Sequence, residues 1–454
     1  MSAMPTDPFA SVPVLFAAGR EEMLRPLLVQ LVVIILAARA GAAVARWLRQ
    51  PSVVGEIVAG LVLGPSVFGA VAPDWFAAVF GRGAGGTGAA LEAALTGFSQ
   101  VGLVLLLFMI GIEFDFSHVR RQGRVAAAVS IAGVALPFTL GLGLAWLMAP
   151  RLVALGAPAG IDPRSFALFL GTAMSITAIP ILGRILIEMG LQHTALGATV
   201  IAAAACDDAV GWTLLAAVSA LATGRFEPAA IARMVAATLA FAAAMLLVVR
   251  PLVLPRLERA VPAAGPPRLS LGVLSLLLAA LCAAAWTTSR IGIFAIFGAF
   301  LVGAALSGVP RVREAVTNHL ADFVTVFFLP IFFTFTGLRT NIGSLGSPEA
   351  WGWCAAVFAV AVLGKWGGCG LAARLCGVPA GEAACIGVLM NTRALMELIV
   401  VNVGMDLGVI PPAVYCMLVL MAVGTTLMAT PLAARLLRGT PHEATLVARG
   451  FLVR

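Results

Sequence analysis

Two adjacent carboxylates, Asp207 and Asp208, stand in the apolar run GATVIAAAACDDAVGWTLLAAVSALA, which is long enough to cross a bilayer. An ionised group at the bilayer centre costs about 2.5–3.5 kcal/mol on insertion scales, so a pair of them marks a functional site. Crowded carboxylates in a low dielectric repel one another and lose hydration, so they hold and release protons as a coupled unit. The same oxygens suit a dehydrated sodium or potassium ion, a hard cation that prefers oxygen ligands. Proton and cation then compete, and if only a loaded site crosses the membrane, competition becomes exchange.

The basic residues point to the same place. Of the 29 lysines and arginines only Lys365 is a lysine, and it lies inside another spanning run, AAVFAVAVLGKWGGCGLAARL. A buried lysine can lose its proton and an arginine cannot, so the one exception falls where a titratable cation is useful. The alternative reading is a structural ion pair. On the exchange reading, Lys365 pairs with Asp207 in the proton-loaded state and gives up its proton when the cation enters.

Two spans carry interruptions. In FALFLGTAMSITAIPILGRILIEMG, the polar set Thr172, Ser175 and Thr177 precedes Pro180, which removes a backbone donor and disturbs the preceding turn. In GEAACIGVLMNTRALMELIVVNVGMDLG, Asn391, Thr392, Arg393 and Glu397 break the apolar pattern at a similar depth. Unpaired backbone at membrane depth is tolerated only inside protein or beside a water-filled cavity, and matched breaks in two halves of a chain mark a transport site. Arg393 and Glu397 are four apart and pair along one helical face, a contact read as core-stabilising.

These groups must be held by helices. A mean hydropathy of +1.04 with 61% hydrophobic residues describes an all-α polytopic membrane protein. About thirteen transmembrane helices are predicted, over 27–45, 53–70, 97–115, 124–149, 165–188, 197–221, 230–249, 270–286, 290–308, 319–338, 352–375, 381–404 and 413–437. The breaks fall in the fifth and twelfth, the carboxylates in the sixth and Lys365 in the eleventh, so all four elements can meet at one midplane site. Basic residues cluster on alternate sides of successive spans, with Arg120, Arg121 and Arg124, or Arg250, Arg256 and Arg259, on the rich side. That side is read as cytoplasmic, which leaves the N-terminus outside and the C-terminus inside. The chain therefore divides into a short extracytoplasmic segment (1–26), a transmembrane domain (27–437) and a short cytoplasmic tail (438–454). The first residues lack the basic region of a secretory signal. The net charge of +8 reads as topology and contact with an anionic lipid bilayer, with no nucleic-acid partner.

Other groups are assigned no chemistry. The seven cysteines lack metal-ligand spacing and read as buried free thiols. His118, His193, His319 and His442 read as solvated cytoplasmic residues, and Glu56 and Glu113 as interfacial.

The stretches VVGEIVAGLVLGPSVFG (53–69), VGLVLLLFMIGIEFD (101–115), the Asp-Asp pair, FLPIFFTFTGLRTNIG (328–343), GKWGG and NTRALMELIVVNVGMDLGVI (391–410) together resemble the monovalent cation:proton antiporter-2 family. The resemblance spans about 27 to 437. It implies an inverted-repeat sodium/proton antiporter fold with two discontinuous helices, a core domain moving against a dimerisation domain, and a homodimer in a bacterial-type inner membrane. It implies that Asp208 is the principal cation and proton site and that Asp207 pairs with Lys365. Ser175, Thr177, Asn391, Thr392 and Arg393 then line the site, and two aspartates with the lysine imply electrogenic exchange. One departure is Ala394, where family members often carry glycine.

The favoured function is thus exchange of Na+ for H+ across the membrane, with both ions as substrates and the transported Na+ or K+ held by Asp207 and Asp208. A K+/H+ antiporter or K+ efflux protein of the same fold is the alternative. The tail is read as lacking a nucleotide-binding regulatory domain, so ligand-gated efflux is less favoured. An organic-anion symporter or channel fits poorly with two acidic groups and a titratable lysine. No nucleophile with a base or phosphate-cradling loop argues for an enzyme, and no cofactor is predicted.

Overall fold

The computed structural model describes residues 20–48, 50–81, 87–113, 123–156, 161–192, 194–222, 228–262, 265, 267–292, 294–393 and 395–452. Almost everything described is helix. Leaving aside the short Phe68–Val71 and Pro73–Phe80, the helices are α1 (Arg20–Trp47), α2 (Ser52–Leu63), α3 (Thr87–Glu113), α4 (Gly123–Met148), α5 (Pro163–Ser175), α6 (Ile179–Met189) and α7 (Ala195–Ala222). There follow α8 (Pro228–Ala243), α9 (Arg250–Ala260), α10 (Leu271–Ile291), α11 (Ala295–Leu306), α12 (Pro310–Phe323), α13 (Leu329–Arg339) and α14 (Pro348–Val362). The last are α15 (Gly368–Leu375), α16 (Ala380–Met390), α17 (Leu395–Asp406), α18 (Pro412–Leu436) and the short α19 (Glu443–Ala448).

Among the described residues, ten helical stretches are long and apolar enough to cross a membrane. The other three predicted spans are the twelve-residue α11 and the two interrupted ones, each folded as a pair of half-helices, α5 with α6 and α16 with α17. Short π-helical turns join α8 to α9, α12 to α13 and α14 to α15. The last of these, Leu363–Gly367, contains Lys365, and the extra residue of a π turn re-aims the side chains around it.

Packing sorts the helices into two groups. One is a frame in which α1 lies on α2, α2 on α13, and α3 on α11 and α13. Its crossings are backbone against backbone: a Cβ on Gly55 would sit 2.0 Å from the Gly41 carbonyl oxygen, one on Gly337 2.0 Å from that of Gly60, and one on Gly303 2.1 Å from that of Phe108. Small residues allow this approach, and in lipid, which offers helices no hydrophobic drive to associate, close van der Waals contact holds them together. The second group packs α4 against α5, α7, α14 and α15, and α18 against α14, α16 and α17. It holds every residue singled out by the Asp-Asp pair, the lysine and the breaks.

Some expectations change. Glu56 is not interfacial: it is buried within the protein on α2, among a run of buried residues from Ser52 to Ile57. The side chain of Glu113 lies outside the described residues, as do His118, His193 and Ala394. His319 sits within α12 instead of a loop, half-buried with Nδ1 2.7 Å from the Ala315 carbonyl oxygen. Four of the seven free thiols are buried, Cys206 and Cys376 are half-buried, and Cys282 is exposed. The first helix starts at Arg20, seven residues before the predicted span, because its polar first turn continues the apolar helix outward.

Candidate functional site

The two interrupted spans cross at their breaks. Helix α5 starts from an Asp162 cap that accepts from the backbone amides of Arg164 and Ser165, and ends at Ser175. Residues 176–178 are extended or nonhelical, and Pro180 occupies the first turn of α6, where its missing amide hydrogen costs nothing. The partner break runs through Asn391, Thr392 and Arg393. Backbone joins the two: the Ala178 amide donates to the Thr392 carbonyl at 3.2 Å. The Thr177 hydroxyl lies 3.2 Å from the Met390 carbonyl.

A half-helix ending inside a protein leaves carbonyls unpaired and a partial negative charge at its C-terminus. Two cations meet that end of α5. Lys365 donates from Nζ to the Ser175 carbonyl at 2.6 Å. Arg393 reaches back across the crossover and donates from Nη1 to the Ala173 carbonyl at 3.0 Å and from Nη2 to that of Met174 at 2.6 Å. Both side chains are fully buried. Arg393 also meets Glu397 at 3.4 Å, the i,i+4 pair read from the sequence. Its backbone carbonyl accepts from the Thr426 hydroxyl of α18 at 2.9 Å.

The two carboxylates of α7 differ sharply. Asp207 is saturated: Oδ2 accepts from Lys365 at 2.6 Å and from Thr177 at 2.9 Å, and Oδ1 from Ser130 of α4 at 2.7 Å. Asp208 is 3% exposed, and its Oδ1 has no hydrogen-bond partner among the described residues. Asn391 Oδ1 and Thr392 Oγ1, buried in the facing break, are in the same condition. Buried polar atoms are normally satisfied; Glu397 Oε1 and the donor Arg393 Nε also lack a partner among the described residues, so Asp208 and the second break concentrate unsatisfied polar groups where an ion or polar ligand can be taken up. Every residue named from the sequence for this site, from Ser175 and Thr177 through Asp207, Asp208 and Lys365 to Asn391, Thr392, Arg393 and Glu397, lies in this buried core.

Set beside known proteins, the chain has a clear place. A family profile described as "Sodium/hydrogen exchanger, transmembrane" matches residues 31–439. The chain belongs to the sodium/hydrogen exchanger family. Within that family it is 36% identical over 419 residues to the Na(+)/H(+) antiporter NhaS4 of Synechocystis, covering 91% of this chain and 97% of the relative. It is 35% identical to Cation/H(+) antiporter 20 of Arabidopsis thaliana over 89% of this chain, and it spans about half the length of that plant relative (48%). The sodium proton antiporter MjNhaP1 of Methanocaldococcus jannaschii superposes with a TM-score of 0.61 at 14% identity, covering 94% of this chain and 100% of that one. The chain therefore has the antiporter fold of an integral membrane protein. The exchanger relatives are transporters by name.

Two features of this exchanger-family chain escaped the sequence reading. Ser130 is a lone serine in an apolar helix, and nothing in its spacing points to Asp207. A second polar cluster joins frame and core: Arg339 of α13 donates to Asn402 Oδ1 at 2.9 Å and pairs with Asp406, both on α17. The Tyr415 hydroxyl of α18 bonds Asn402 Oδ1 at 3.1 Å. The chain's only tyrosine, buried in an apolar helix, was the available signal.

Proposed function

We propose that this protein exchanges Na+ for H+ across a bacterial-type inner membrane by alternating access, with Asp208 as the group that carries either ion. The observation that carries the reading is the asymmetry of the pair: Asp207 is held by three side-chain donors, whereas Asp208 Oδ1 has none. A dehydrated cation or a proton supplies what Asp208 lacks, and the neutral oxygens of Asn391 and Thr392 are further ligands for the cation. Arg393 holds the end of α5 throughout, so the crossover stays folded while Asp208 changes its ion and Lys365, paired with Asp207 in the proton-loaded state, gives up its proton as the cation enters. The named activity of the Synechocystis relative supports Na+ as the cation. The K+/H+ alternative draws on the yeast K(+)/H(+) antiporter 1, 29% identical over 85% of this chain, a weaker match than the Na(+)/H(+) relative at 36% over 91%.

On this reading the exchange is electrogenic, the protein is a homodimer, and the basic faces of the spans lie in the cytoplasm with the N-terminus outside. The test is purified protein in proteoliposomes with an interior pH dye, challenged with Na+, K+ and Li+ in turn. Na+-driven proton movement in the wild type that is absent from Asp208→Asn supports the reading. An active Asp208→Asn, or a wild type that moves protons with no cation, refutes it.

A further inference from the structure

We propose that Ser130 of α4 is a positioning residue for the exchange: it holds Asp207 in place beside Lys365, so that Asp208 is the carboxylate that presents an open oxygen to the cation. This rests on the exchange reading above and assigns a role to a helix that reading does not use.

A serine or threonine within a helix usually returns its hydroxyl proton to the carbonyl one turn back. In this chain Thr139, Thr172, Thr199 and Thr425 all do so. Ser130 instead gives its proton to Asp207 Oδ1 at 2.7 Å, across 77 positions of sequence. The second hydroxyl on Asp207 is not equivalent. Thr177 lies between Asp207 Oδ2 and the Met390 carbonyl and has one proton for two acceptors. Ser130 is therefore the neutral donor committed to this carboxylate, and it covers the oxygen that Lys365 does not reach.

The backbone of α4 is shaped to bring it there. Gly133 follows Ser130 by three residues, on the same face. A Cβ at Gly133 would lie 2.6 Å from Cys369 Sγ, 3.5 Å from Lys365 Nζ and 3.6 Å from Asp207 Oδ2. The helix is thus pressed against the ion pair at a position that has no room for a side chain. The titratable and charged groups around Asp207 are Cys206 and Asp208 on its own helix, Lys365 and Cys369 from the α14–α15 segment, and Arg393 with Glu397 beyond the crossover. Ser130 adds no charge to this set. Its effect is to decide which of two adjacent carboxylates has open oxygens.

Without the hydroxyl, Asp207 Oδ1 becomes a second open acceptor, and Asp207 is free to turn from Lys365 and draw the cation away from Asp208. The test compares wild type, Ser130→Ala and Ser130→Thr in proteoliposomes, recording KM for Na+ and maximal rate across pH. The expected result for Ser130→Ala is a KM for Na+ raised about tenfold with the maximal rate kept, and wild-type behaviour restored in Ser130→Thr. If Ser130→Ala is not monodisperse after purification, Ser130→Cys, a size-matched weak donor, carries the same comparison. A lowered maximal rate with unchanged KM at every pH would make Ser130 a packing residue and overturn the proposal. A Ser130→Thr that behaves like Ser130→Ala would overturn it too. A wild type without Na+-driven proton movement would instead overturn the exchange reading itself.

Discussion

Asp207→Asn and Asp208→Asn are isosteric changes at neighbouring residues, and they should have opposite effects on stability. Asp207 is fully buried with the Lys365 ammonium 2.6 Å away, so neutralising it strands a buried cation. Breaking a buried pair by removing one partner costs about 3–5 kcal/mol. Lys365 keeps the Ser175 carbonyl and gains a neutral amide oxygen, so the lower end, about 3 kcal/mol, applies here. Asp208 is different: its Oδ1 has no partner among the described residues, no cation is stranded by its loss, and repulsion from Asp207 is relieved. The change there should be near zero or stabilising. In a chain of this size each kcal/mol moves the unfolding midpoint by about 1 °C, so the variants should differ by about 3 °C or more. Asp207→Asn should lie below wild type and Asp208→Asn at or above it. The assay is thermal unfolding in detergent followed by tryptophan fluorescence, for which the chain supplies eight tryptophans. Equal shifts, or Asp208→Asn as the less stable of the two, would refute the claim that one carboxylate is structural and the other free.

Further outcomes follow from the same geometry. Arg393→Lys removes the fork that holds two carbonyls of α5, and a single ammonium cannot replace it, so the maximal exchange rate should fall at least tenfold while the protein still folds; transport assays in proteoliposomes check this. Gly337→Ala, whose Cβ would meet the Gly60 carbonyl oxygen at 2.0 Å, should lower the unfolding midpoint strongly, whereas Gly272→Ala, with nothing within 4 Å, should be neutral or stabilising by up to about 1 kcal/mol in the same measurement. Asp162→Ala removes the α5 cap and should cost about 1 kcal/mol at neutral pH. Hydrogen bonds from Ser165 hold the Asp162 carboxyl below its ordinary value of 3.8, so its contribution is full above that value and fades as pH falls through the lower folded one. Unfolding midpoints of wild type and Asp162→Ala should therefore converge in strong acid, and a gap that persists there would contradict the capping role.

Much of the site was legible because membrane burial makes polar residues conspicuous. Asp207, Asp208 and Lys365 stand out against apolar runs, and Pro180 and the Asn391–Arg393 set announce breaks through local backbone chemistry. Partner choice was not legible. The Arg393–Glu397 contact follows from i,i+4 spacing, but that guanidinium's stronger bonds go to Ala173 and Met174, some 220 positions away, and no periodicity encodes them. Ser130 was invisible for the same reason. Glu56 was misplaced because hydropathy shows that a segment reaches a membrane face and not how tightly a neighbour encloses it. Lys365 itself sits in a π turn, which shifts facing by one residue in a way that a regular helical wheel misses.

The glycine crossings of the frame have a mechanical consequence. A joint of carbonyl against Cα has no rotamers to exchange, so at Gly41 with Gly55, Gly60 with Gly337 and Gly111 with Gly303 a side chain can be added only by pushing the helices apart. The contact where Arg339 meets Asn402 and Asp406 is of the other kind, lined by side chains that can exchange rotamers and partners. On the exchange reading proposed above, the frame would serve as the stator and the side-chain contact of Arg339 as the bearing against which the core turns.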